Sequence, residues 1–361
     1  MLVEPKEGVD YPGSLADLRA WSPNDAVCLD YLDWLRWLRW PDGFLCPHCG
    51  SGTAWRLADG RYSCGGCKRR VSVTAGTIFH GTRTPLTIWF QAAWLMMTSK
   101  SGTSALNLQR VLGLGSYQTV WAMLHRYRDV MVVPGRDKLA GHVEMDEAFI
   151  GRVRPGKRGR GAAGKVLVVG AIERAQRGRG FGRARLAVIP NAKSKALHEF
   201  ITANITPGSL VISDALSSYP NALAGSEYQH EPINIQRSGL KAHQLLPGVH
   251  RLFSLSKRWL EGTHQGAVEA EHLQSYLDEF IFRFNRRTAH KRGLLFLRLI
   301  ERAVRQTLSA TETSSPTRNR QASREPLHAA ASGHVLSPSI HLTGRGGPPR
   351  RKLLTSLHRY G

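Results

Sequence analysis

The sequence predicts a protein of mixed α/β class, in which a sheet domain follows a small cysteine-rich module and a helical region. Three observations support this prediction. Two Cys-x-x-Cys pairs lie close together in the first fifth of the chain. Runs with helical periodicity follow them, and from about residue 139 short apolar runs alternate with helical ones. With 361 residues, the chain is long enough for two or three domains.

The charge of the chain indicates a polyanionic partner. The 50 Lys and Arg residues outnumber the 27 Asp and Glu residues, which gives a formal net charge of +23. Neutralised phosphates release counterions, so such an excess is typical of nucleic-acid binding. A membrane surface is the competing partner, but the apolar run from Leu86 to Met97 is too short to span a bilayer. The N-terminal MLVEPKEGVD lacks a signal-peptide pattern, so we expect a cytoplasmic protein with no membrane partner, whose five cysteines are thiols or metal ligands rather than disulfides.

Residues 1–45 are predicted to form a helical segment. Leucines and tryptophans recur at helical spacing from Cys28 to Trp40, and Pro41-Asp42-Gly43 ends the helix. We interpret these aromatic side chains as core residues. Cys28 stands outside the paired cysteine pattern and is predicted to be a buried thiol.

Residues 46–70 are predicted to form a zinc ribbon. Cys46 and Cys49 make one pair, and after 14 intervening residues Cys64 and Cys67 make the second. Two such knuckles supply four thiolates for a tetrahedral Zn²⁺, and a site without an open position is structural. A redox pair is the alternative, which two pairs at this spacing disfavour. The basic run directly after the last cysteine suits contact with nucleic acid.

Residues 84–135 are predicted to be helical and to resemble a helix–turn–helix. Pro85 opens an apolar helix, and two further helices, at 104–112 and 116–127, are joined by a glycine turn. A helix–turn–helix places its second helix in a DNA groove. The side chains predicted to face DNA are Gln118, Thr119, His125 and Arg126. A helical hairpin that only links two domains is the alternative.

The region 139–305 is predicted to be the α/β domain. Strands are readable at 143–150, 166–173, 184–190 and 209–213, and helices near 195–204, 215–223, 249–260 and 270–286. Three successive strands, then helix, strand and helix, match the order of a ribonuclease H-like fold.

Four residues of this domain form a candidate catalytic constellation. Asp146 and Asp214 follow apolar alternating runs and are predicted to lie at the ends of strands. His250 follows Asp214 after 35 intervening residues, and Lys257 lies seven residues further, on the same face of one helix. Carboxylates suit Mg²⁺ or Mn²⁺, and two such ions can support in-line attack on a phosphodiester. We therefore predict a catalytic divalent-metal site at Asp146, Asp214 and His250, with Lys257 as a phosphate contact or base.

Two basic, glycine-rich segments interrupt the early strands. The first is predicted to grip DNA phosphates through Arg152, Lys157, Arg158, Arg160 and Lys165, and the second runs from Arg174 to Arg185. A solvated hairpin is the alternative. Residues 306–361 form a basic tail, rich in Ser, Thr, Pro and Gly and without periodicity, which is predicted to be disordered.

From about Cys28 to Arg287, the chain resembles bacterial insertion-sequence transposases of the DDE superfamily, in the zinc-ribbon ISXO-type group. The segments that carry the resemblance are RWPDGFLCPHCG, VSVTAGTIFHGTRTPLTIWF, SALNLQRVLGLGSYQTVWAMLHRYR, HVEMDEAFIGR, KRGRGAAGK, SLVISDALSSY, SKRWLEGTHQGAV and HLQSYLDEFIFRFNRR. The resemblance implies a ribonuclease H-like domain that binds the element's terminal inverted repeats and a target site on double-stranded DNA. It also implies Mg²⁺-dependent strand cleavage and joining, a homo-oligomer that holds two ends, and a nucleoid-associated bacterial protein.

The third metal ligand departs from the superfamily pattern. Where the superfamily has Glu, this chain has His250. Members of this group resemble one another in accepting a histidine at that position. An imidazole favours Mn²⁺ over Mg²⁺. The alternative is that His250 only packs and that a later acid, such as Glu279, completes the site. Two other functions stay open: a transposase-derived DNA-binding protein without catalysis, and a structure-directed nuclease.

Overall fold

A computed structural model of the chain describes residues 4–39, 41–133, 135–151, 165–175, 180–266 and 268–305. The tail at 306–361 lies outside the described residues, as do four residues of the predicted phosphate-gripping loop: Arg152, Lys157, Arg158 and Arg160. In the described ranges, no helix is long and apolar enough to cross a membrane.

Two capped helices open the described chain. Ser14 caps α1 (Leu15–Trp21) and Asn24 caps α2 (Asp25–Asp33), each through a side-chain oxygen that accepts a backbone N–H. The predicted Trp-rich helix continues from α2 as a π-helical turn, Trp34–Leu38. In this turn Trp37 packs 4.8 Å from the rings of both Phe44 and Tyr62, which joins the helices to the ribbon that follows.

The ribbon and the next three helices share one hydrophobic core. The ribbon is a three-stranded antiparallel sheet of β1 (Ala54–Arg56), β2 (Tyr62–Cys64) and β3 (Arg70–Val71). The helices are α3 (Leu86–Thr98), α4 (Ala105–Leu112) and α5 (Tyr117–Asp129). Ser104 caps α4, Gly113 ends it in the left-handed region with φ of 64°, and Ser116 caps α5. The predicted helix, glycine turn and helix are thus present.

A helix that the sequence analysis did not identify, α12 (Arg292–Arg305), completes this N-terminal core. Phe296 of α12 lies 5.8 Å from Phe90 and 5.7 Å from Trp94, ring centre to ring centre. The chain therefore returns to its N-terminal half after the α/β region.

The main sheet has five strands in the order β6-β5-β4-β7-β8. They are β4 (His142–Gly151), β5 (Lys165–Arg174), β6 (Phe181–Val188), β7 (Leu210–Asp214) and β8 (Gln229–Ile233). The first three strands pair antiparallel, whereas β7 pairs parallel with both β4 and β8. This order and these directions are those of a ribonuclease H-like sheet, as predicted. The sequence analysis missed β8, an edge strand.

Helices cover both faces of this sheet. On one face, α6 (Ser194–Asn204) and α7 (Ser218–Leu223) pack against Val143 and Met145 of β4. On the other face lie α10 (Pro247–His264) and α11 (Leu273–Phe284), preceded by the short α8 (Ile235–Ser238) and α9 (Ala242–Leu245). Because side chains alternate along β4, Glu144 and Asp146 point toward the α10 face.

Candidate catalytic site

Asp146 and Asp214 leave neighbouring parallel strands at the same level of the sheet. The paired register of β4 and β7 ends with Glu144 opposite Ile212, and each Asp lies two residues further on. The two side chains are thus on the same face, and adjacent strands are about 5 Å apart. The N–H of Leu216 donates to Asp214 Oδ1 at 3.2 Å and orients that carboxylate.

The Asp146 carboxylate is held in an environment that resists its ionisation. Burial raises its pKa to about 6; the Asp214 charge adds to the rise, while the Glu147 N–H and Lys257 oppose it. The N–H of Glu147 donates to Asp146 Oδ1 at 2.7 Å, which leaves Oδ2 free to face α10. Two half-buried like charges create a demand for a cation at this point.

Glu144 positions the helix that carries His250. Its Oε2 accepts the N–H groups of Gly248 at 2.7 Å and Val249 at 3.1 Å in the first turn of α10, and its Oε1 accepts Arg174 Nε at 2.7 Å. The side chain is completely buried. A Cβ on Gly248 would lie 2.9 Å from Glu144 Oε2 and 2.6 Å from Phe181, so glycine permits this close approach. Strand alternation puts Glu144 on the face of Asp146, but this pattern does not show that its side chain caps a helix.

His250 brings an unpartnered nitrogen to Asp146. Its Nε2 lies 3.4 Å from Asp146 Oδ2, is shielded from solvent, and makes no hydrogen bond to any described residue. Burial lowers the pKa of this imidazole, and the charges of His243 and Lys257 lower it further, while Glu144 opposes them. The ring is therefore neutral at pH 7, and its nitrogen lone pair is available as a metal ligand.

Lys257 and Lys165 line one cavity beside the carboxylates. This cavity has a volume of about 160 Å³ and is walled by apolar side chains that include Phe149 and Leu260. Lys257 lies on α10 two turns beyond His250, and its charge lowers the pKa of Asp146. The lining also includes the acid Glu261, and the two ammonium groups suit a nucleotide phosphate.

Glu279, the alternative third acid, is engaged elsewhere. Its Oε2 accepts Arg128 Nε at 2.9 Å, and both side chains are buried, at 0% and 1% exposed. The Arg128 guanidinium also lies 4.0 Å from the ring centre of Tyr276. This pair joins α5 to α11, which favours His250 over Glu279 as the third group at the acidic site.

A polar network on the opposite face of the sheet from Asp146 was not predicted from the sequence. Tyr219, completely buried on α7, donates its hydroxyl to Glu147 Oε1 at 2.5 Å. Its ring lies 5.9 Å from that of His230, whose Nε2 is 3.0 Å from Ser213 Oγ. The network ties β4, β7 and β8 together on the face opposite Asp146. The only signal in the sequence is the tyrosine five residues after Asp214.

The four paired cysteines form a ready tetrahedral site. Sγ atoms are 3.8 Å apart in Cys46 and Cys67 and 3.6 Å apart in Cys49 and Cys64, and all four atoms lie within 4.8 Å of one another. Zn–S bonds of about 2.3 Å imply tetrahedral edges of about 3.8 Å. Among the described residues this is the one group of three or more His, Cys, Asp or Glu that close together. The structure thus supports the predicted structural zinc site.

The two knuckles adopt the same turn. The N–H of Gly50 donates to the Cys46 carbonyl at 2.9 Å, and that of Lys68 to the Cys64 carbonyl at 3.0 Å. Both residues that close the turns have positive φ, 71° for Gly50 and 60° for Lys68. A lysine in this region is strained, and its Nζ lies 5.5 Å from the ring of the exposed Trp55.

Comparison with known proteins gives two domain matches and one relative. The profile of the ISXO2-like transposase domain matches residues 138–285, and that of the transposase zinc-ribbon domain matches residues 23–70. The chain is 32% identical over 98 residues to an uncharacterized transposase-like protein of Haemophilus influenzae, across 27% of this chain and 77% of that protein. The chain belongs to the ISXO2-like transposase family.

Two solved structures of Mos1 transposase are similar at a low level. One is a pre-cleavage transpososome, with a TM-score of 0.28, 14% identity, and coverage of 57% of this chain and 76% of that one. The other is a paired-end complex with the left transposon end, with a TM-score of 0.29, 14% identity, and coverage of 61% and 80%. We draw nothing from these superpositions. The fold of the ISXO2-like transposase rests on its own sheet order and on the domain matches.

The second helix of the predicted helix–turn–helix, α5, exposes only part of its predicted DNA-facing set. Gln118 and Thr119 are exposed in its first turn. Arg126 is half-buried, and its Nη1 donates to the Ile78 carbonyl at 3.1 Å. His125 packs 3.9 Å from the ring of Trp121 and turns toward the protein interior, against the expectation that it faces DNA.

Proposed function

We propose that this ISXO2-like transposase binds the terminal inverted repeats of its element and catalyses metal-dependent cleavage and transfer of DNA strands. The observation that carries the proposal is the geometry of His250. Its unpartnered, neutral Nε2 lies 3.4 Å from Asp146 Oδ2, beside a second carboxylate that leaves the adjacent strand. His125 and His264 also have a buried Nε2 without a hydrogen-bond partner, so it is the closeness to Asp146 that distinguishes His250.

The residues that would hold the divalent ions are Asp146, Asp214 and His250. Ions bound there would supply positive charge to the attacking and leaving oxygens of an in-line displacement at phosphorus. The donor set fits such ions because the raised pKa of Asp146 and the orphaned Nε2 both leave unmet demand for a cation. A set of two carboxylates and one imidazole favours Mn²⁺ more than an all-carboxylate set would.

Other side chains of the site have roles that follow from their contacts. Glu144 holds the first turn of α10, and so fixes the height at which His250 faces Asp146. Lys257 and Lys165 would bind DNA phosphates at the rim of the cavity beside the acids. A proton on the Asp146 carboxyl would weaken metal binding below about pH 6, because a protonated carboxyl is a poorer ligand.

DNA would be held by three surfaces of the transposase. The zinc ribbon presents its basic run at 68–70, and α5 presents Gln118. The loop between β4 and β5, with Arg152, Lys157, Arg158 and Arg160, would grip phosphates beside the site. Arg126 stays a predicted DNA contact. We further propose a homo-oligomer on DNA and a nucleoid-associated protein, as expected when two element ends must be held together.

The decisive experiment is cleavage of a labelled terminal inverted repeat by the purified full chain. Nicking and end joining should appear in Mg²⁺ or Mn²⁺, disappear in Asp146→Asn, and persist in Glu227→Gln, an exposed acid of the same domain. Mn²⁺ should support a smaller share of the activity in His250→Asn than in the parent if the imidazole is a ligand, because the variant offers an amide oxygen in place of the ring nitrogen. Binding without cleavage in either metal would leave a DNA-binding protein, and cleavage without joining would leave a nuclease.

A further inference from the structure

A second, strongly basic cavity lies away from the carboxylates, where the N-terminal helical core meets the main sheet. Its volume is about 420 Å³, within the range of sites for small molecules. The segment after α5, the edge strand β6, and the helices α11 and α12 all contribute to its lining. The catalytic Asp146 lies on β4, two strands from this edge of the sheet.

Five arginines line the cavity, and their partners are mostly neutral. Arg183 is the exception, because it pairs with Glu173 at 2.7 Å. Arg302 donates to the Met131 carbonyl at 2.8 Å. The other three donate to carbonyl or amide oxygens of the protein: Arg136 to Asn204, Arg185 to Asp137 and Ala184, and Arg286 to Phe282. These contacts therefore leave four guanidinium groups without a negatively charged partner.

Arg185 is the most constrained of these groups. Its side chain is 4% exposed, and its Nε is buried with no hydrogen-bond partner among the described residues. Burial lowers its pKa to about 10, and the charges of Arg136 and Arg183 lower it further. Burial and the charges of Arg302, Arg298 and Arg185 act on Arg286 in the same way. The cations repel one another, so the cavity stores unfavourable charge that an anion would relieve.

Two carboxylates of the lining, Asp137 and Asp278, offset only part of this charge. Burial raises the pKa of Asp278 to about 6, against a hydrogen bond from Gln274 and the charge of Arg136. The Asp137 carbonyl, rather than its carboxylate, accepts Arg185 Nη2 at 2.6 Å. Four unpaired guanidinium groups therefore face two acids around a cavity of ligand size.

We propose that this cavity is an anion site that binds phosphate groups, separate from the catalytic carboxylates. Planar guanidinium groups match phosphate oxygens, and a buried Nε adds a directional donor. Because elements of both halves of the molecule line it, an occupied site would hold the helical core against the sheet. The phosphate could belong to a soluble phosphorylated molecule or to a DNA backbone, and the experiment separates these sources.

The test uses the full chain and titrates it with inorganic phosphate and with pyrophosphate at constant ionic strength, by isothermal titration calorimetry. Arg136→Gln and Arg286→Gln should each weaken binding roughly 10- to 100-fold, the loss expected for one charge-assisted contact. Arg237→Gln removes an exposed arginine outside the cavity and should leave affinity unchanged. Asp278→Asn keeps the acceptor for Gln274 but removes a negative charge, so it should strengthen binding.

The second arm measures affinity for a terminal-repeat duplex. If a DNA phosphate fills the site, Arg136→Gln should weaken duplex binding and reduce its salt dependence by about one ion, and pyrophosphate should compete. If the ligand is a soluble molecule, Arg136→Gln should leave the duplex affinity unchanged and should lose only the binding of pyrophosphate. Absence of phosphate and pyrophosphate binding together with unchanged duplex affinity would overturn the proposal. Equal weakening by Arg237→Gln, or weaker binding in Asp278→Asn, would overturn it too.

Discussion

Replacing Asp146 with Asn should make the protein more stable when no divalent ion occupies the candidate catalytic site. Burial raises the pKa of this carboxyl from 3.8 to about 6. A carboxyl with a raised folded-state pKa binds its proton more tightly in the folded than in the unfolded chain, so its ionisation costs stability as pH rises from about 4 to 6. A difference of about 2 units corresponds to about 3 kcal/mol above pH 6.

Asparagine is isosteric and never ionises, so Asp146→Asn escapes this cost. Its free energy of unfolding should exceed that of the parent by about 3 kcal/mol at pH 8 and by only about 1.5 kcal/mol at pH 5, since the cost is partly absent there. Urea unfolding in buffer without added divalent metal measures both values. Mn²⁺ should then raise the stability of the parent and leave that of Asp146→Asn unchanged, because only the parent binds it.

The matched control is Glu227→Gln, which removes an exposed carboxylate and should alter stability by no more than about 0.5 kcal/mol at either pH. A variant Asp146→Asn that is no more stable than the parent at pH 8 would refute the reasoning. Such a result would mean that the site carries no uncompensated charge and holds no unmet demand for a cation.

Three further substitutions test other parts of the molecule. Cys46→Ser should release the zinc and unfold the ribbon, with at least roughly tenfold weaker DNA binding; zinc content and duplex affinity measure this, and retained zinc would contradict the assignment. Glu279→Gln should lower the free energy of unfolding in urea by about 3–5 kcal/mol, because Arg128 stays buried without its charged partner. The cleavage rate per folded molecule should be unchanged. Selective loss of cleavage would instead make Glu279 a metal ligand. Lys257→Met should slow strand cleavage roughly 10- to 100-fold with zinc content and unfolding unchanged, and an unaltered rate would exclude a phosphate contact.

The sequence predicted the parts of this fold that depend on local pattern. Alternating apolar residues marked the strands that end near Asp146 and Asp214, and the cysteine spacing predicted the ribbon. The edge strand β8 was missed because its sequence, QHEPI, is half polar and contains Pro232, and most of its side chains are exposed. An edge strand owes its pairing to its neighbour more than to its own residues.

Contacts between residues that are far apart in the sequence could not be predicted from local patterns. Period-2 alternation puts Glu144 on the face of Asp146, but no local pattern reveals that its partners are N–H groups about a hundred residues away in α10. On α5, helical spacing could not decide which face meets the protein. His125 therefore appeared available to DNA, whereas its ring packs against Trp121 and Tyr276. Such assignments need the tertiary packing that a single sequence does not reveal.

The return of α12 to the N-terminal core constrains the order in which the chain can fold during synthesis. Phe90 and Trp94 of α3 reach the ribosome exit long before Phe296, the ring against which they pack. Until then the part of α3 that faces α12 has no cover, and contacts of such large sequence separation form slowly. We expect a copy of the gene that is interrupted before residue 292 to yield an aggregating fragment rather than a free DNA-binding domain that competes with the intact transposase.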